Sequence, residues 1–203
     1  MTRRFEGPAL VVATHNRGKL DEIAALLASR DITLSSNADH DLPEPEETGE
    51  TFVENARLKA HAAAAATGLP ALADDSGIEI DGLGGRPGVH TADWAETPQG
   101  RDFVLAMARA HDELVASQAP EPWTARFCCT LVLAWPDGHE EVFPGTMPGR
   151  IVWPGRGAGG HGYDPIFQPE GYDETFAEMD RWEKNRISHR AKAFEKLIAG
   201  CFD

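Results

Sequence analysis

Two adjacent carboxylates lie between apolar runs near the middle of the sequence. The run Asp74-Asp75-Ser76-Gly77 follows Ala71–Ala73 and precedes Ile78–Ile80, and both flanking runs have the length and composition of short strands. A carboxylate at a strand end binds a hard cation or accepts a proton from water. Asp, Ser and Gly are also favoured turn residues, so a plain turn between two strands is the alternative interpretation.

A lysine falls inside the apolar stripe of a predicted helix. The capping-box pattern at 51–54 predicts a helix that runs to about residue 67, where Gly68 ends it. Its apolar stripe consists of Phe52, Ala56, Ala63 and Ala66, with Lys59 in the middle. Burying an ammonium is costly unless it meets an anion, although a long stem also reaches water at a helix edge. If Lys59 points into a cleft, a phosphate is its natural partner.

Further carboxylates precede this helix in an acidic loop that contains Glu44, Glu46, Glu47 and Glu50. One of them could supply a second ligand to a metal ion. Magnesium takes only one or two protein carboxylates and leaves the rest of its shell to water and phosphate oxygens. For most of the four, a solvated acidic loop is the better interpretation.

A strand, a turn and a helix start follow one another at Ala13-Thr14-His15-Asn16-Arg17-Gly18-Lys19. A helix N-terminus offers unpaired N–H groups to a phosphate, and Lys19 adds a point charge. The segment is not a Walker A loop, because Ala13 stands where its first glycine belongs and Leu20 follows Lys19. An ordinary Asn-capped helix with a solvated lysine is the alternative.

Near the C-terminus, Ser188-His189-Arg190 begins the last helical stripe, which consists of Ile187, Ala191, Phe194 and Ile198. On a regular helix His189 lies opposite Ile187, while Arg190 lies at the margin of the core face. Both side chains reach one ligand only where the backbone is not yet regular helix or the ligand sits across its end. A charged, solvated face is the alternative.

The elements that must position these residues alternate along the whole chain. Strands are predicted at 10–13, 32–34, 71–73, 78–80, 127–135, 140–143 and 151–153, and helices at 19–29, 51–67, 98–117 and along the last stripe. Glycine-rich loops follow at 82–88 and 155–162. Such mixing indicates an α/β protein with a central sheet in a single domain over residues 1–203.

Composition excludes several classes of function. The formal net charge of −14 argues strongly against a nucleic-acid-binding module, because such modules neutralise many phosphates with Lys and Arg. No apolar run approaches the length of a membrane helix, and no apolar segment follows Arg3 and Arg4 as in a secretory signal. An odd count of three cysteines predicts reduced thiols and a cytoplasmic location.

Taken in order, these segments resemble the inosine triphosphate pyrophosphatase family, also called XTP/dITP diphosphatases, from Val11 to about Ala193. The matching motifs are ATHNRGK (13–19), EETGETFVENARLKA (46–60), ADDSG (73–77), LGGRPGV (83–89), GGHGYDPIF (159–167) and EKNRISHR (183–190). Each motif is weak by itself, whereas all six in the right order are highly specific.

The resemblance implies an elongated α/β fold with a central mixed sheet flanked by helices, and two lobes with the active-site cleft between them. It also implies a homodimer and a Mg²⁺-dependent enzyme. Family members hydrolyse the deaminated purine nucleotides ITP, dITP and XTP to a monophosphate and pyrophosphate and largely spare ATP and GTP. A pyrophosphatase for other modified nucleotides and a non-catalytic nucleotide sensor are the competing hypotheses.

The resemblance also assigns roles. Asp75 would be the general base and, with Glu47, a magnesium ligand. The substrate-binding residues would be Thr14, His15, Asn16, Arg17, Gly18, Lys19, Lys59, Ser76, His161, Gly162, Tyr163, Asp164, Lys184, His189 and Arg190. Two positions depart from the family, which usually has glycine in place of His15 and phenylalanine in place of His161. Imidazole stacks on a purine less strongly than phenylalanine, and its charge follows pH.

Overall fold

A computed structural model describes residues 2–15 and 17–203, and Asn16 therefore lies outside the described residues. The strands are β1 (Ala9–Val12), β2 (Thr33–Ser36), β3 (Ala71–Ile80), β4 (Glu96–Thr97), β5 (Gly100–Arg101), β6 (Thr124–Ala134), β7 (Glu140–Ile151) and β8 (Phe167–Pro169). The α-helices are α1 (Arg17–Leu27), α2 (Phe52–Thr67), α3 (Phe103–Ser117), α4 (Arg181–Ile187) and α5 (His189–Leu197).

Six strands form one mixed sheet in the order β2-β1-β3-β6-β7-β8, and β4 pairs with β5 in a separate hairpin. Strand β1 runs parallel to both β2 and β3, whereas β8 runs antiparallel to β7. The predicted α/β class with a central mixed sheet is confirmed. None of the helices in the described part of the chain combines the length and apolar character needed to cross a bilayer.

The chain divides into two compact units. The first unit contains the residues up to Asp75 together with Thr130–Pro144 and Phe194–Asp203, and the second contains Ser76–Cys129 and Gly145–Ala193. Strands β3, β6 and β7 each contribute residues to both units.

Small side chains build a core of the first unit. Helix α2 begins with the predicted capping box, in which Thr51 and Glu54 bond reciprocally, and ends at Gly68 in the left-handed conformation. The cluster consists of Val11, Ala13, Ala56, Ala60, Ala63, Ala64, Ala71, Ala73, Val132 and Ala134. Because most of these side chains are single methyl groups, α2 packs closely on β1 and β3. The predicted stripe is correct for Phe52, Ala56 and Ala63, but Ala66 is exposed near the helix end.

Aromatic side chains pack among aliphatic ones in the core of the second unit. Phe127 lies edge-on to Phe167 with ring centroids 4.7 Å apart, and it stacks on Phe176 at 5.8 Å. Helix α3 contributes Ala106, Ala110 and Leu114, all fully buried. Aromatic pairs of this kind stabilise a core by about 0.5–1.5 kcal/mol each beyond their buried area.

Several predicted element boundaries are wrong, most clearly those of α3 and β7. Helix α3 begins at Phe103 rather than Pro98, because the Asp102 carboxylate accepts from the N–H groups of Val104 and Leu105 and caps it there. Strand β7 runs from Glu140 to Ile151, whereas separate strands were predicted at 140–143 and 151–153. Its glycines are required by close approach, since a Cβ at Gly149 would lie 2.4 Å from the Gln168 carbonyl oxygen.

Candidate active site

The two adjacent aspartates lie inside a continuous strand. Residues 74–77 were predicted as a turn or strand end between two strands, but β3 runs without interruption from Ala71 to Ile80. Asp, Ser and Gly favour a turn, but this segment stays in the strand. Each of its carboxylates is paired with a lysine and therefore need not reach water. Neighbouring side chains of a strand point to opposite faces. Accordingly, Asp74 pairs with Lys19 of α1, whereas Asp75 pairs with Lys59 of α2.

Lys59 joins two carboxylates in the first unit. Its Nζ donates to Glu47 Oε1 at 2.7 Å and to Asp75 Oδ1 at 3.1 Å, and only 7% of its side chain is exposed. Burial lowers the pKa of this ammonium, but attraction to Asp75 and Glu47 outweighs burial, so the net pKa is raised. The expected anion beside Lys59 is therefore present as a pair of carboxylates.

Burial governs the ionisation of Asp75. Its pKa rises to about 6, chiefly because the carboxylate is buried, and the negative charges of Glu47 and Asp74 add to this rise against the opposing effect of Lys59. A general base works best when its pKa lies near the operating pH. Asp75 thus has the environment of a proton acceptor at near-neutral pH.

Asn55 connects the Glu47 loop to Asp75, and sequence reasoning did not single it out. Its Oδ1 accepts from the Gly49 N–H at 2.8 Å, and its Nδ2 lies 3.5 Å from Asp75 Oδ2. The side chain is buried, with 2% of the residue exposed. One signal was available in the sequence, because Asn55 precedes Lys59 by one helical turn and so lies on the same face of α2.

The segment that joins β1 to α1 supplies Lys19. The ammonium donates to both oxygens of Asp74, at 2.8 and 2.9 Å. Thr14 is buried, and its N–H bonds to the Val12 carbonyl at 2.8 Å. His15 is exposed and its Nε2 donates to the Leu42 carbonyl at 2.8 Å. Helix α1 begins at Arg17, two residues before the predicted start at Lys19.

In the second unit, Asp164 organises the loop around His161. Its Oδ2 accepts from the His161 N–H at 2.5 Å and from the Lys184 ammonium, and its side chain is 4% exposed. A Cβ at Gly160 would lie 2.3 Å from the same oxygen, and both Gly160 and Gly162 have positive φ. The loop thus holds the His161 backbone and Lys184 on one buried carboxylate.

The remaining predicted residues of this loop differ in exposure. The His161 side chain is exposed, whereas Tyr163 is buried with 1% of its surface exposed. The Tyr163 ring lies edge-on to Phe103 with centroids 6.0 Å apart. A ligand at the surface of this loop would therefore meet the backbone of Tyr163 rather than its ring.

The predicted last helix is interrupted at the residues assigned to substrate. Ser188 has an extended backbone (φ −64°, ψ 160°) between α4 and α5, and its Oγ accepts from the Ala191 N–H at 3.2 Å. His189 and Arg190 are then the first two residues of α5, both half-buried. The His189 ring stacks on Phe127 with centroids 5.0 Å apart. The backbone at Ser188 therefore departs from regular helix, which is the condition under which His189 and Arg190 could reach one ligand.

The structure thus brings the predicted residues together in two groups, one in each unit. The first unit holds Glu47, Lys59 and Asp75 in one cluster and Lys19 on the neighbouring Asp74. The second holds His161 and Lys184 on Asp164, with Ser76 half-buried on β3. Among the described residues, no group of three or more acidic, histidine or cysteine side chains is arranged to hold a metal ion.

Comparison with known proteins shows the family to which this chain belongs. The model of the Ham1 family matches residues 10–200. A dITP/XTP pyrophosphatase of Ruegeria pomeroyi is 67% identical over 202 residues, covering 100% of this chain and 99% of its own, and one of Agrobacterium fabrum is 51% identical over 99% of both. A HAM1 protein from Coxiella burnetii has a similar structure, with a TM-score of 0.90 at 37% identity over 95% of this chain and 98% of its own. The chain belongs to the Ham1 family, the group of dITP/XTP pyrophosphatases that its motifs resemble.

Proposed function

We propose that this chain hydrolyses dITP, XTP and ITP to the nucleoside monophosphate and pyrophosphate and so removes deaminated purines from the nucleotide pool. Its membership of the Ham1 family and its identity to dITP/XTP pyrophosphatases support this activity. The observation that carries the proposal is the cluster of Asp75, Glu47 and Lys59, in which a buried carboxylate with a pKa of about 6 adjoins a second carboxylate and an ammonium.

The same cluster fits a magnesium ion. Oxygens of Glu47 and Asp75 both lie within hydrogen-bonding distance of the Lys59 ammonium, so the two carboxylates are already close to one cationic position. Magnesium prefers carboxylate oxygens and takes one or two of them together with substrate phosphates. We propose that Glu47 and Asp75 hold Mg²⁺. When bound, Mg²⁺ would make the phosphorus more electrophilic and stabilise the leaving pyrophosphate.

The residues of the chain would then carry out an in-line displacement. Asp75 orients a water molecule and accepts its proton while the water oxygen bonds to the α-phosphorus. The bond from the α-phosphorus to the bridging oxygen breaks, and pyrophosphate leaves with that oxygen. Lys19 and Lys59 offset charge on the phosphates, with Thr14, His15, Asn16, Arg17 and Gly18 positioning them, which is the main contribution of phosphoryl-transfer enzymes.

Residues of the second unit are proposed to select the nucleotide. His189 and Arg190 donate to a 6-oxo oxygen, whereas a 6-amino group would face them with another donor; mismatches of this kind give discrimination of roughly 10⁴-fold or more. This arrangement would discriminate against ATP, whose 6-amino group is a donor. We assign Ser76, His161, Gly162, Tyr163, Asp164 and Lys184 to the sugar and base.

The family resemblance supports three further parts of the proposal. We propose that residues 1–203 work as one domain, that two chains form a homodimer and that the enzyme acts in the cytoplasm. We expect the partner to be a small-molecule nucleotide rather than a nucleic acid. A formal charge of −14 repels the phosphate backbone of a nucleic acid except where lysine or arginine side chains are held in position.

A substrate panel tests the proposal. Purified protein with Mg²⁺ should consume dITP, XTP and ITP at least a hundredfold faster, in kcat/KM, than ATP or GTP. Asp75→Asn should abolish turnover without unfolding the protein, and Glu140→Gln, which removes a carboxylate bonded to Arg57 and His61, is the matched control. Faster turnover of a modified pyrimidine would favour the other pyrophosphatase, and tight binding of ITP without turnover would favour a sensor.

A further inference from the structure

Asp74 holds Lys19 with both of its carboxylate oxygens. The two distances, 2.8 Å to Oδ1 and 2.9 Å to Oδ2, describe a two-point contact with the ammonium. The Asp74 side chain is 10% exposed and the Lys19 side chain 31% exposed. The carboxylate is therefore fixed within the protein, while the lysine retains an accessible surface that a phosphate oxygen can approach.

This contact fixes a side chain that would otherwise be mobile. A lysine has four rotatable bonds, and confining it costs rotamer entropy. Asp74 lies in the interior of β3, in the middle of a six-stranded sheet, so its own position is set by the strand. A lysine held by such a group is already oriented before any substrate arrives, which reduces the entropy lost when it binds.

The contact also sets the position of Lys19 relative to the proposed base. Asp74 and Asp75 are consecutive residues of one strand, and each holds the lysine of a different helix. The backbone of β3 therefore fixes the distance between the Lys19 ammonium and the Asp75 carboxylate. The two groups assigned to phosphate charge and to proton transfer are thereby held in a fixed relation.

We infer that Asp74 is a positioning residue that orients Lys19 toward the phosphate groups of the substrate. This inference rests on the proposed function, because it takes Lys19 to act on substrate phosphate. In this inference Asp74 acts through Lys19 and is assigned no contact with substrate or metal. Its effect on turnover passes through Lys19, so it should disappear when Lys19 is removed.

A double-mutant cycle measures that dependence. Asp74→Asn should lower kcat for dITP at least tenfold with less than about a threefold change in KM, and Asp74→Glu should restore part of the loss. In a Lys19→Met background, Asp74→Asn should change kcat less than twofold. Glu140→Gln should leave kcat unchanged. An equal loss in both backgrounds, or no loss with Lys19 present, would overturn the inference.

A second readout separates this inference from the proposed activity. The ¹⁵Nζ–Hζ NMR signal of Lys19, assigned by its absence in Lys19→Met, should be visible at low temperature in the wild-type protein and broadened beyond detection in Asp74→Asn. An unchanged signal in Asp74→Asn would refute the positioning role. A wild-type protein that shows the signal yet hydrolyses neither dITP nor XTP would refute the proposed function and leave the Lys19–Asp74 pair intact.

Discussion

At the scale of single residues, the site consists of charges that the fold buries at a cost. Removing one partner of a buried ion pair destabilises a protein by about 3–5 kcal/mol. Buried charged groups of this kind therefore indicate a functional role. Lys59 was detectable in the sequence as a lysine in an apolar stripe. Its carboxylate partners were not, because Glu47 lies twelve residues before it in a loop whose path the sequence does not reveal.

The raised pKa of Asp75 makes a prediction for the metal-free protein. Because its folded pKa of about 6 exceeds the ordinary 3.8, the folded state binds this proton more readily than the unfolded state. The contribution of Asp75 to stability should therefore fall as pH rises from about 4 to about 6. Asp75→Asn removes this ionisation, so its stability relative to wild type should increase by about 3 kcal/mol between pH 4 and pH 7. Urea unfolding in EDTA measures the difference, and a difference independent of pH would refute it.

A separate prediction concerns the side chain of His161. The loop is held through the His161 backbone N–H and Asp164, which a change of side chain leaves in place. Because phenylalanine stacks on a purine better than imidazole does, His161→Phe should preserve or improve affinity for ITP. Calorimetric titration of an inactive Asp75→Asn background with ITP measures this affinity. A large loss in the His161→Phe variant would mean that the imidazole itself is required.

At the scale of elements, the sequence predicted the regular periodicity of a helix well. It predicted poorly where an element continues or is interrupted. The capping box, Gly68 and the periodicity of α2 are local signals, and they predicted this helix to the residue. The continuity of β3 through Asp74–Gly77 depends on lysines from two other elements, and the break at Ser188 interrupts an apolar stripe that continues on both sides. The lysines that pair with Asp74 and Asp75 are distant in sequence, so local propensity could not predict the continuity of β3, whereas at Ser188 the Oγ accepts from the Ala191 N–H and caps α5 locally.

The Glu47 loop makes a prediction at this scale. A Cβ at Gly49 would lie 2.6 Å from Glu54 Cβ and 2.7 Å from Asn55 Oδ1, so Gly49→Ala must displace the loop or Asn55. We expect Gly49→Ala to weaken activation by Mg²⁺. The Mg²⁺ concentration that gives half-maximal dITP hydrolysis should increase at least tenfold. Gly7→Ala is the matched control, because its Cβ would meet only Phe5 at 3.7 Å. Equal activation of both variants would contradict the role given to the loop.

At the scale of the whole molecule, the acidic charge makes local cations decisive. Against a net charge of −14, Lys19 and Lys59 are held at fixed positions by carboxylates rather than left to the solvent. The composition argues against nucleic-acid binding, and six ordered motifs identified the family. The pairing of each lysine with its own aspartate became visible only in three dimensions.

Metal binding should stabilise the whole fold. A ligand that binds only the folded state adds about 2.7 kcal/mol at a concentration one hundred times its Kd. Mg²⁺ should therefore raise the Tm of the wild-type protein and of Glu140→Gln by several degrees, but should have little effect on Glu47→Gln. Differential scanning calorimetry with and without EDTA measures these shifts. The same shift in Glu47→Gln would remove Glu47 from the metal site.

The most direct test of the central claim is the position of a labelled oxygen after hydrolysis of dITP in H₂¹⁸O, read by ³¹P NMR. Attack by water on the α-phosphorus predicts unlabelled pyrophosphate and one ¹⁸O atom in the nucleoside monophosphate. Label in pyrophosphate would move the attack to the β-phosphorus, and release of labelled orthophosphate would move it to the γ-phosphorus. Either of these results would contradict the proposed reaction.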